Sequence, residues 1–467
     1  MTSHPLEPDD AAMREMTRAV AEFVRRHVAT LSEQPAHDLD GASAIAAALR
    51  TPVPEAGAPL DAILGDLAPA VAKSFNAAGP GYLAFIPGGG LYASALADFV
   101  ACAVNRYVGV AKAAPALVQI ERTVLAWLAG FVGYPASAGG ILTSGGSLAH
   151  LSAIVAARAD RLPDDFLRGT IYVSTQTHRS IAKAARIAGF PAANVRAVPV
   201  DARLRMIPEE LAGAIRRDRG AGFSPFLVVP TLGTTNTGAV DPVPAIVAIA
   251  RREGLWVHGD AAYGGFFRLV DGGDALLPGM ADCDSITIDP HKGLFLPYGT
   301  GCLLVRDPAA LRRGHADERP AAYLADVSGA DDDAGFDELS PELSRDFRGL
   351  RVWLPMRLHG LGAFRAALAE KLALARFAYD ELRRDPRFEV LDEPQLSVVA
   401  LRLKGRDDAA NAELMRRVNA RKRVFLSSTD VDGKYTLRIC VLSFRTHADR
   451  VEDAVRGLRE EAAALAR

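Results

Sequence analysis

Between residues 117 and 305 the chain alternates helical and short apolar segments, and this alternation narrows the folds open to it. The strands GGILT, TIYVS, VRAVPV, PFLVVPTLG and LWVHGD are separated by helical segments such as SLAHLSAIVAARADRL, PEELAGAIRRD and PVPAIVAIARREG. A helix between two strands carries the chain back to its starting edge, so the next strand runs parallel to the last. The expectation is a mostly parallel α/β sheet with helices on both faces. Ligands of such sheets sit beyond the carboxyl ends of the strands. Thr143–Ser147, His178, Thr231–Thr235, Asp260 and Lys292 all fall at or just after strand ends.

Those residues form a chemical pattern. Lys292 lies in DCDSITIDPHKGLFLPYGTGCL, just past a strand. Lysine is rarely buried without a partner, and burial pushes it toward its neutral, nucleophilic form. Asp260 ends the upstream strand of LWVHGDAAYGGF. Earlier still, Gly145, Gly146 and Ser147 of GGILTSGGSLAHL open a helix, where free backbone N–H groups bind phosphate. The G-K-[ST] of a nucleotide loop is absent there, and no G-x-G-x-x-G follows a strand. A phosphate cradle, then an aspartate, then a lysine is the order that a pyridoxal-phosphate enzyme needs. Asp260 would keep the pyridine nitrogen protonated, or else cap a helix. His258 and Asp260 also have the look of two metal ligands, but nothing is spaced to complete a site. His178 either lies flat on the cofactor ring or is structural.

The remainder frames this centre. Lys and Arg number 54 against 56 Asp and Glu, a net charge of −2, which gives no bulk attraction to nucleic acid or an anionic membrane. The four scattered cysteines fit a reducing compartment. The N-terminus lacks a signal-peptide pattern, and no run of 18 uncharged apolar residues occurs, so a cytoplasmic protein is expected. Residues 9–34 have helical spacing, with Met13, Met16, Val20, Phe23, Val24 and Val28 on one face that a partner subunit would cover. A second helix is expected near 60–75. Residues 329–340, GADDDAGFDELS, read as a solvated loop in the place of a lid. A long helix from 345, interrupted at Pro355, leads into a module of two strands and two helices. Three parts result: an N-terminal helical segment (1–75), a large domain (76–344) and a small C-terminal α+β domain (345–467).

The motifs GYLAFIP, ILTSGGS, STQTHRS, PTLGTTNTGAVDPV, WVHGDAAYGG, DPHKG, DFRGLRVW and LRICVLSFRT together resemble the group II pyridoxal-phosphate decarboxylases, from about Gly81 to Arg445. That family includes aromatic-amino-acid, histidine and glutamate decarboxylases. The resemblance implies a fold-type I homodimer with the site at the subunit interface. It implies Lys292 as the Schiff-base lysine, Asp260 on the pyridine nitrogen and His178 stacked on the ring. Ala262 would lie beneath the ring, Thr235 near the phenolic oxygen, and Gly146, Ser147 and His291 at the phosphate. Phe85, Ile86 and Pro87, with Val108 and Val110, would line the substrate pocket. The implied reaction converts an L-amino acid, apolar or aromatic, to its amine and carbon dioxide.

Two positions depart from the family pattern. Asp289 stands where asparagine is common, and a carboxylate near phosphate is unfavourable unless it turns away or pairs with an arginine. Phe336 aligns with a lid tyrosine thought to protonate the carbanion, and a phenyl ring has no proton to give. Reaction with oxygen to an aldehyde, ammonia and peroxide is therefore a second expectation, unless Tyr323 or water supplies the proton. Two further functions stay open: a carbon–carbon lyase acting on a phosphorylated amino alcohol, and a binding homologue that has lost catalysis. Lys112 is the one cation near the expected pocket that could meet an acidic substrate.

Overall fold

The computed structural model describes residues 6–316 and 334–466. Seven strands form the central sheet: β1 (Gly139–Thr143), β2 (Gly169–Ser174), β3 (Val195–Val198), β4 (Ser224–Val229), β5 (Trp256–Asp260), β6 (Ser285–Ile288) and β7 (Gly301–Val305). Their order is β1-β7-β6-β5-β4-β2-β3. β7 is antiparallel to β1 and β6, and all other neighbours are parallel. The reversal has a local cause. Only one helical turn, Pro290–Gly293, lies between β6 and β7, too little for a crossover. β2, β5, β6 and β7 are buried along their whole length, as expected when helices cover both faces. Helix Gly146–Arg161 lies close against the sheet because Ala149, Ala153, Ala156 and Ala157 form much of its buried face.

A second, antiparallel sheet builds the C-terminal module in the order β10-β11-β9-β8. Its strands are β8 (Phe388–Val390), β9 (Val398–Leu403), β10 (Ser427–Val431) and β11 (Lys434–Cys440). β8 and β10 lay outside the sequence expectation, being three residues long and polar (SSTDV) respectively. Asp432 and Gly433 join β10 to β11 with φ of 52° and 74°, the positive values that a two-residue hairpin turn needs.

The helices differ from expectation in extent and in where they break. The first spans Asp10–Ala29, with Asp9 Oδ1 accepting from Ala12 N at 2.8 Å as its cap. None of its residues is buried, so the described part of the chain leaves its apolar stripe largely uncovered. The helix expected near 60–75 spans Leu60–Ala72, and a short helix, Ala42–Ala48, precedes it. The long helix runs Gly349–Arg383 and is interrupted at Gly360 (φ 72°, ψ 155°), not at Pro355. Pro355 is tolerated because the Arg351 carbonyl it leaves without an N–H accepts instead from Ser94 Oγ at 2.9 Å. Leu350, Met356 and Leu368 of this helix join the large core, while Leu374, Ala378 and Leu382 join the small one.

The described part of the acidic stretch is not a solvated loop. Residues Phe336–Leu339 form one helical turn, and the Phe336 ring is 2% exposed. It packs 4.7 Å from the Arg345 guanidinium, which pairs with Glu121 at 2.6 Å; both charged side chains are fully buried. Arg345 also donates to Leu142 O of β1, and Glu121 Oε2 accepts from Gly349 N, so the pair joins three segments of chain. Glu121→Ala would leave Arg345 buried and uncompensated. It is expected to cost about 3–5 kcal/mol, read as a lower urea midpoint, whereas Arg14→Ala at the exposed Arg14–Asp10 pair leaves the midpoint in place.

Candidate active site

The carboxyl edge of the large sheet gathers the site. β1 ends at Thr143, whose Oγ1 donates to Gly145 O at 3.0 Å. Gly145 has φ 153° and ψ 174°, a conformation essentially reserved for glycine. A Cβ on Gly301 of β7 would stand 2.5 Å from Gly145 Cα, and a Cβ on Gly146 would stand 3.0 Å from Asp289 Oδ2. Small residues therefore let the turn lie close to β7 and β6. The 16-residue helix that begins at Gly146 presents first-turn N–H groups with no intrahelical acceptor, and its dipole favours an anion there.

β6 delivers the lysine. Lys292 Nζ lies 2.8 Å from Asp289 Oδ2, and its side chain is 22% exposed. Burial works to lower the lysine pKa, but the Asp289 carboxylate, with Asp260 behind it, outweighs burial and raises it. Asp289 thus neither turns away nor finds an arginine, as the sequence reading required; it pairs with Lys292. Asp289 is 1% exposed, and its Oδ1 has no hydrogen-bond partner among the described residues. His291 Nδ1 donates to Thr300 O at 2.6 Å, which turns Nε2 toward Asp289 Oδ2 at 3.6 Å. Burial holds His291 below the usual imidazole range despite that carboxylate.

β5 and the loops after β2 and β4 complete the ring of groups. Asp260 is 5% exposed and its Oδ1 accepts from Ala262 N at 3.2 Å, a local turn and not a helix cap. His178 Nδ1 accepts from Ser180 N at 3.3 Å and faces Ser180 Oγ at 2.8 Å, leaving Nε2 as the ring's donor. Thr235 is held through its carbonyl by Arg438, a buried residue of β11 that also donates to Asn236 O at 2.7 Å and Phe85 O at 3.0 Å. The small module in this way positions two loops of the large one. Phe85 sits in that clamp with φ 53°, a strained value for a side chain of its size.

All nine residues expected to bind the cofactor (Gly145, Gly146, Ser147, His178, Thr235, Asp260, Ala262, His291 and Lys292) line one cavity of about 240 Å³. Asp289 lines it too, and so do His150 and Tyr263, which were unforeseen. The signal for His150 was present: it lies four residues after Gly146, one turn along the same helix face. The expected substrate-pocket residues do not line this cavity. Ile86 and Val108 pack in the core, and Val110 is 6% exposed beneath residues 335–337, where Asp337 N donates to Gly109 O. Pro87 is buried, and Phe85 is half exposed. Phe336 is the clearest correction: its ring is enclosed in the core of its own chain and does not line this cavity. Lys112 lies outside the lining, and Tyr323 outside the described residues.

The donor set fits pyridoxal phosphate. A lysine amine, a carboxylate and a helix start bordered by glycines surround one enclosed space, and each matches one functional group of that molecule. Comparison with known proteins agrees. Residues 44–404 match the pyridoxal-dependent decarboxylase conserved domain. The chain is 31% identical to an aromatic-L-amino-acid decarboxylase of Bacillus atrophaeus, over 96% of this chain and 95% of that protein. The solved Oryza sativa TDC with PLP and tryptamine superposes with a TM-score of 0.92 at 30% identity, over 99% of both chains. A Rhodiola rosea 4-hydroxyphenylacetaldehyde synthase gives 0.89 at 26% identity, over 98% of this chain and 99% of that one. The chain belongs to the pyridoxal-dependent decarboxylase family, with the fold-type I architecture, and is a PLP-dependent carboxy-lyase acting on amino acids.

Proposed function

We propose that this enzyme decarboxylates an aromatic L-amino acid and releases the amine. The observation that carries this reading is the convergence of Lys292, Asp260, His178 and the start of helix Gly146–Arg161 on one cavity. The aromatic preference is supported by the relatives named above and by a lining in which, among the described residues, Lys292 is the sole Lys or Arg side chain. A second anionic group on the substrate, as in glutamate or a phosphorylated amino alcohol, meets no arginine in that lining.

Each residue has a role that its position supports. Lys292 would hold the cofactor through Nζ. The helix start at Gly146 and Ser147, with His291, binds the phosphate. Asp260 would keep a proton on the ring nitrogen, and His178, whose Nδ1 is engaged by Ser180, would offer Nε2–H to the substrate carboxylate. The bound cofactor supplies the electron sink for the pair released when the carboxylate leaves. Phe336, the residue on which an aldehyde product rested, is enclosed in the core, so its lack of a proton carries no argument for that product. The intact Lys292–Asp260–His178 set argues against an inactive homologue.

A homodimer is part of the same reading. Met13, Met16 and Val20 on the first helix, and Leu96, Phe99, Val100 and Val104 on helix Tyr92–Val104, are apolar side chains about half exposed in the single chain. Two such stripes on one molecule suit burial against a second copy. Sedimentation is expected to give twice the 49.6 kDa of one chain; a monomer at micromolar concentration would remove this part of the proposal.

Cofactor-loaded protein mixed with tryptophan, tyrosine, dopa, phenylalanine and glutamate is expected to yield carbon dioxide and amine one to one from an aromatic substrate. Stoichiometric peroxide would show the aldehyde route instead. Lys292→Ala should abolish both turnover and the visible absorbance of the bound cofactor. A further expectation concerns Asp289. Because Asp289 raises the Lys292 pKa, the pair stabilises the cofactor-free protein below the pKa of an unfolded lysine, and that stability is lost as pH climbs through the raised folded value. Asp289→Asn removes the largest of the influences that oppose burial and leaves the more distant Asp260. The pH at which Nζ becomes reactive, followed by borohydride trapping of a small aldehyde, should then fall by about one unit or more. An unchanged midpoint would show that Asp289 does not control the amine.

A further inference from the structure

Beside Asp260 stands a file of buried polar side chains that the roles above leave unused. Trp256 and His258 come from β5, Ser285 and Thr287 from β6, and His150 from helix Gly146–Arg161; none is more than 4% exposed. Trp256 Nε1 donates to Ser285 Oγ at 2.8 Å, and Ser285 Oγ lies 2.8 Å from His258 Nδ1. His258 Nε2 lies 3.1 Å from His150 Nδ1, with Thr287 Oγ1 at 3.2 Å from both nitrogens. His150 Nε2 lies 3.7 Å from Asp260 Oδ1, an ionic contact distance longer than a hydrogen bond.

The carboxylate end favours one direction of donation, and the indole end is compatible with it. The indole of Trp256 only donates, so it occupies one of the two acceptor sites on Ser285 Oγ and leaves the serine proton available to His258 Nδ1. His258 then carries its proton on Nε2 and donates to His150 Nδ1, directly or through Thr287. His150 in turn carries its proton on Nε2, facing Asp260. From the other end, an ionised carboxylate only accepts and favours an N–H opposite it, which is the same tautomer of His150. Burial pushes both imidazoles down to about 3, so each is neutral with a single N–H.

We propose that His150 is a positioning residue for Asp260: the relay Trp256–Ser285–His258–His150 delivers a neutral N–H to the carboxylate, fixing its orientation without neutralising it. An imidazolium at 3.7 Å would compete with the ring nitrogen for the negative charge of Asp260, whereas a neutral imidazole orients the carboxylate and leaves that charge to the cofactor. The inference rests on the reading that Asp260 meets the ring nitrogen.

The test uses the full-length, cofactor-loaded protein carrying a cofactor labelled with ¹⁵N in the ring. The ring-nitrogen shift reports its protonation without substrate, and kcat and KM are measured alongside. His150→Leu is expected to move the shift toward the unprotonated value and to lower kcat tenfold or more, with KM within twofold. His150→Gln, whose amide nitrogen can stand where Nε2 stood, should recover at least half of the change in shift. A folded His150→Leu protein with the wild-type shift overturns the proposal. Asp260→Asn separates the two levels. If it too leaves the shift unchanged, the role of Asp260 fails; if it moves the shift while His150→Leu does not, only the relay fails. Should His150→Leu not fold, Ser285→Ala breaks the file two links back. It should give a smaller shift in the same direction, and no shift there also overturns the relay.

Discussion

The parallel run of β2, β4, β5 and β6 is the constraint on which the site depends. Interior strands spend their backbone N–H and C=O groups on the ladder, so groups free to meet a ligand gather where strands stop. Parallel strands stop at one edge. Asp260 is the last residue of β5, Lys292 lies four residues past the end of β6, and the helix start at Gly146 lies three past the end of β1. The reversal at β7 supports the arrangement. It brings Gly301 against Gly145 and turns the chain back just beyond Lys292, so that the lysine sits at the head of a short, well-packed turn.

Charge is distributed in the cavity by burial as much as by residue type. Asp260 and Asp289 face Lys292, while His150, His258 and His291 are all pushed toward neutrality by loss of water. Lys292 alone is driven the other way, because a carboxylate stands 2.8 Å from its nitrogen. The helix start adds positive potential without a side chain, at the point where an anion must be held. A cluster of imidazoles that would read as a cationic patch in sequence is thus a set of neutral donors and acceptors in the fold.

Much of this was legible in the chain. The order of strands and helices from 117 to 305, the Gly145–Gly146 turn, and the placement of His178, Asp260 and Lys292 at strand ends follow from periodicity and turn chemistry, which are local. The failures share a cause. Pro355 looked like the break in the long helix, but a serine from another helix satisfies the carbonyl it frees, and Gly360 takes the kink. β10 was missed because SSTDV lacks an apolar alternation; a hairpin turn and cross-strand pairing make it a strand. Phe336 looked like a lid residue because it aligns with the family's lid tyrosine, yet the buried Glu121–Arg345 pair gives its ring a flat cationic surface to cover.

By itself, then, the sequence determined the fold class through its alternation of helix and strand, placed His178, Asp260 and Lys292 at or just after strand ends, and carried the motifs whose resemblance pointed to the family. Tertiary structure alone decided that Asp289 pairs with Lys292, that Arg438 clamps Thr235 and Phe85, that Phe336 is sealed away, and that His150 stands between His258 and Asp260. Each of these depends on two or more segments meeting in space, where burial and a neighbouring charge set what a side chain can do. No local pattern encodes either.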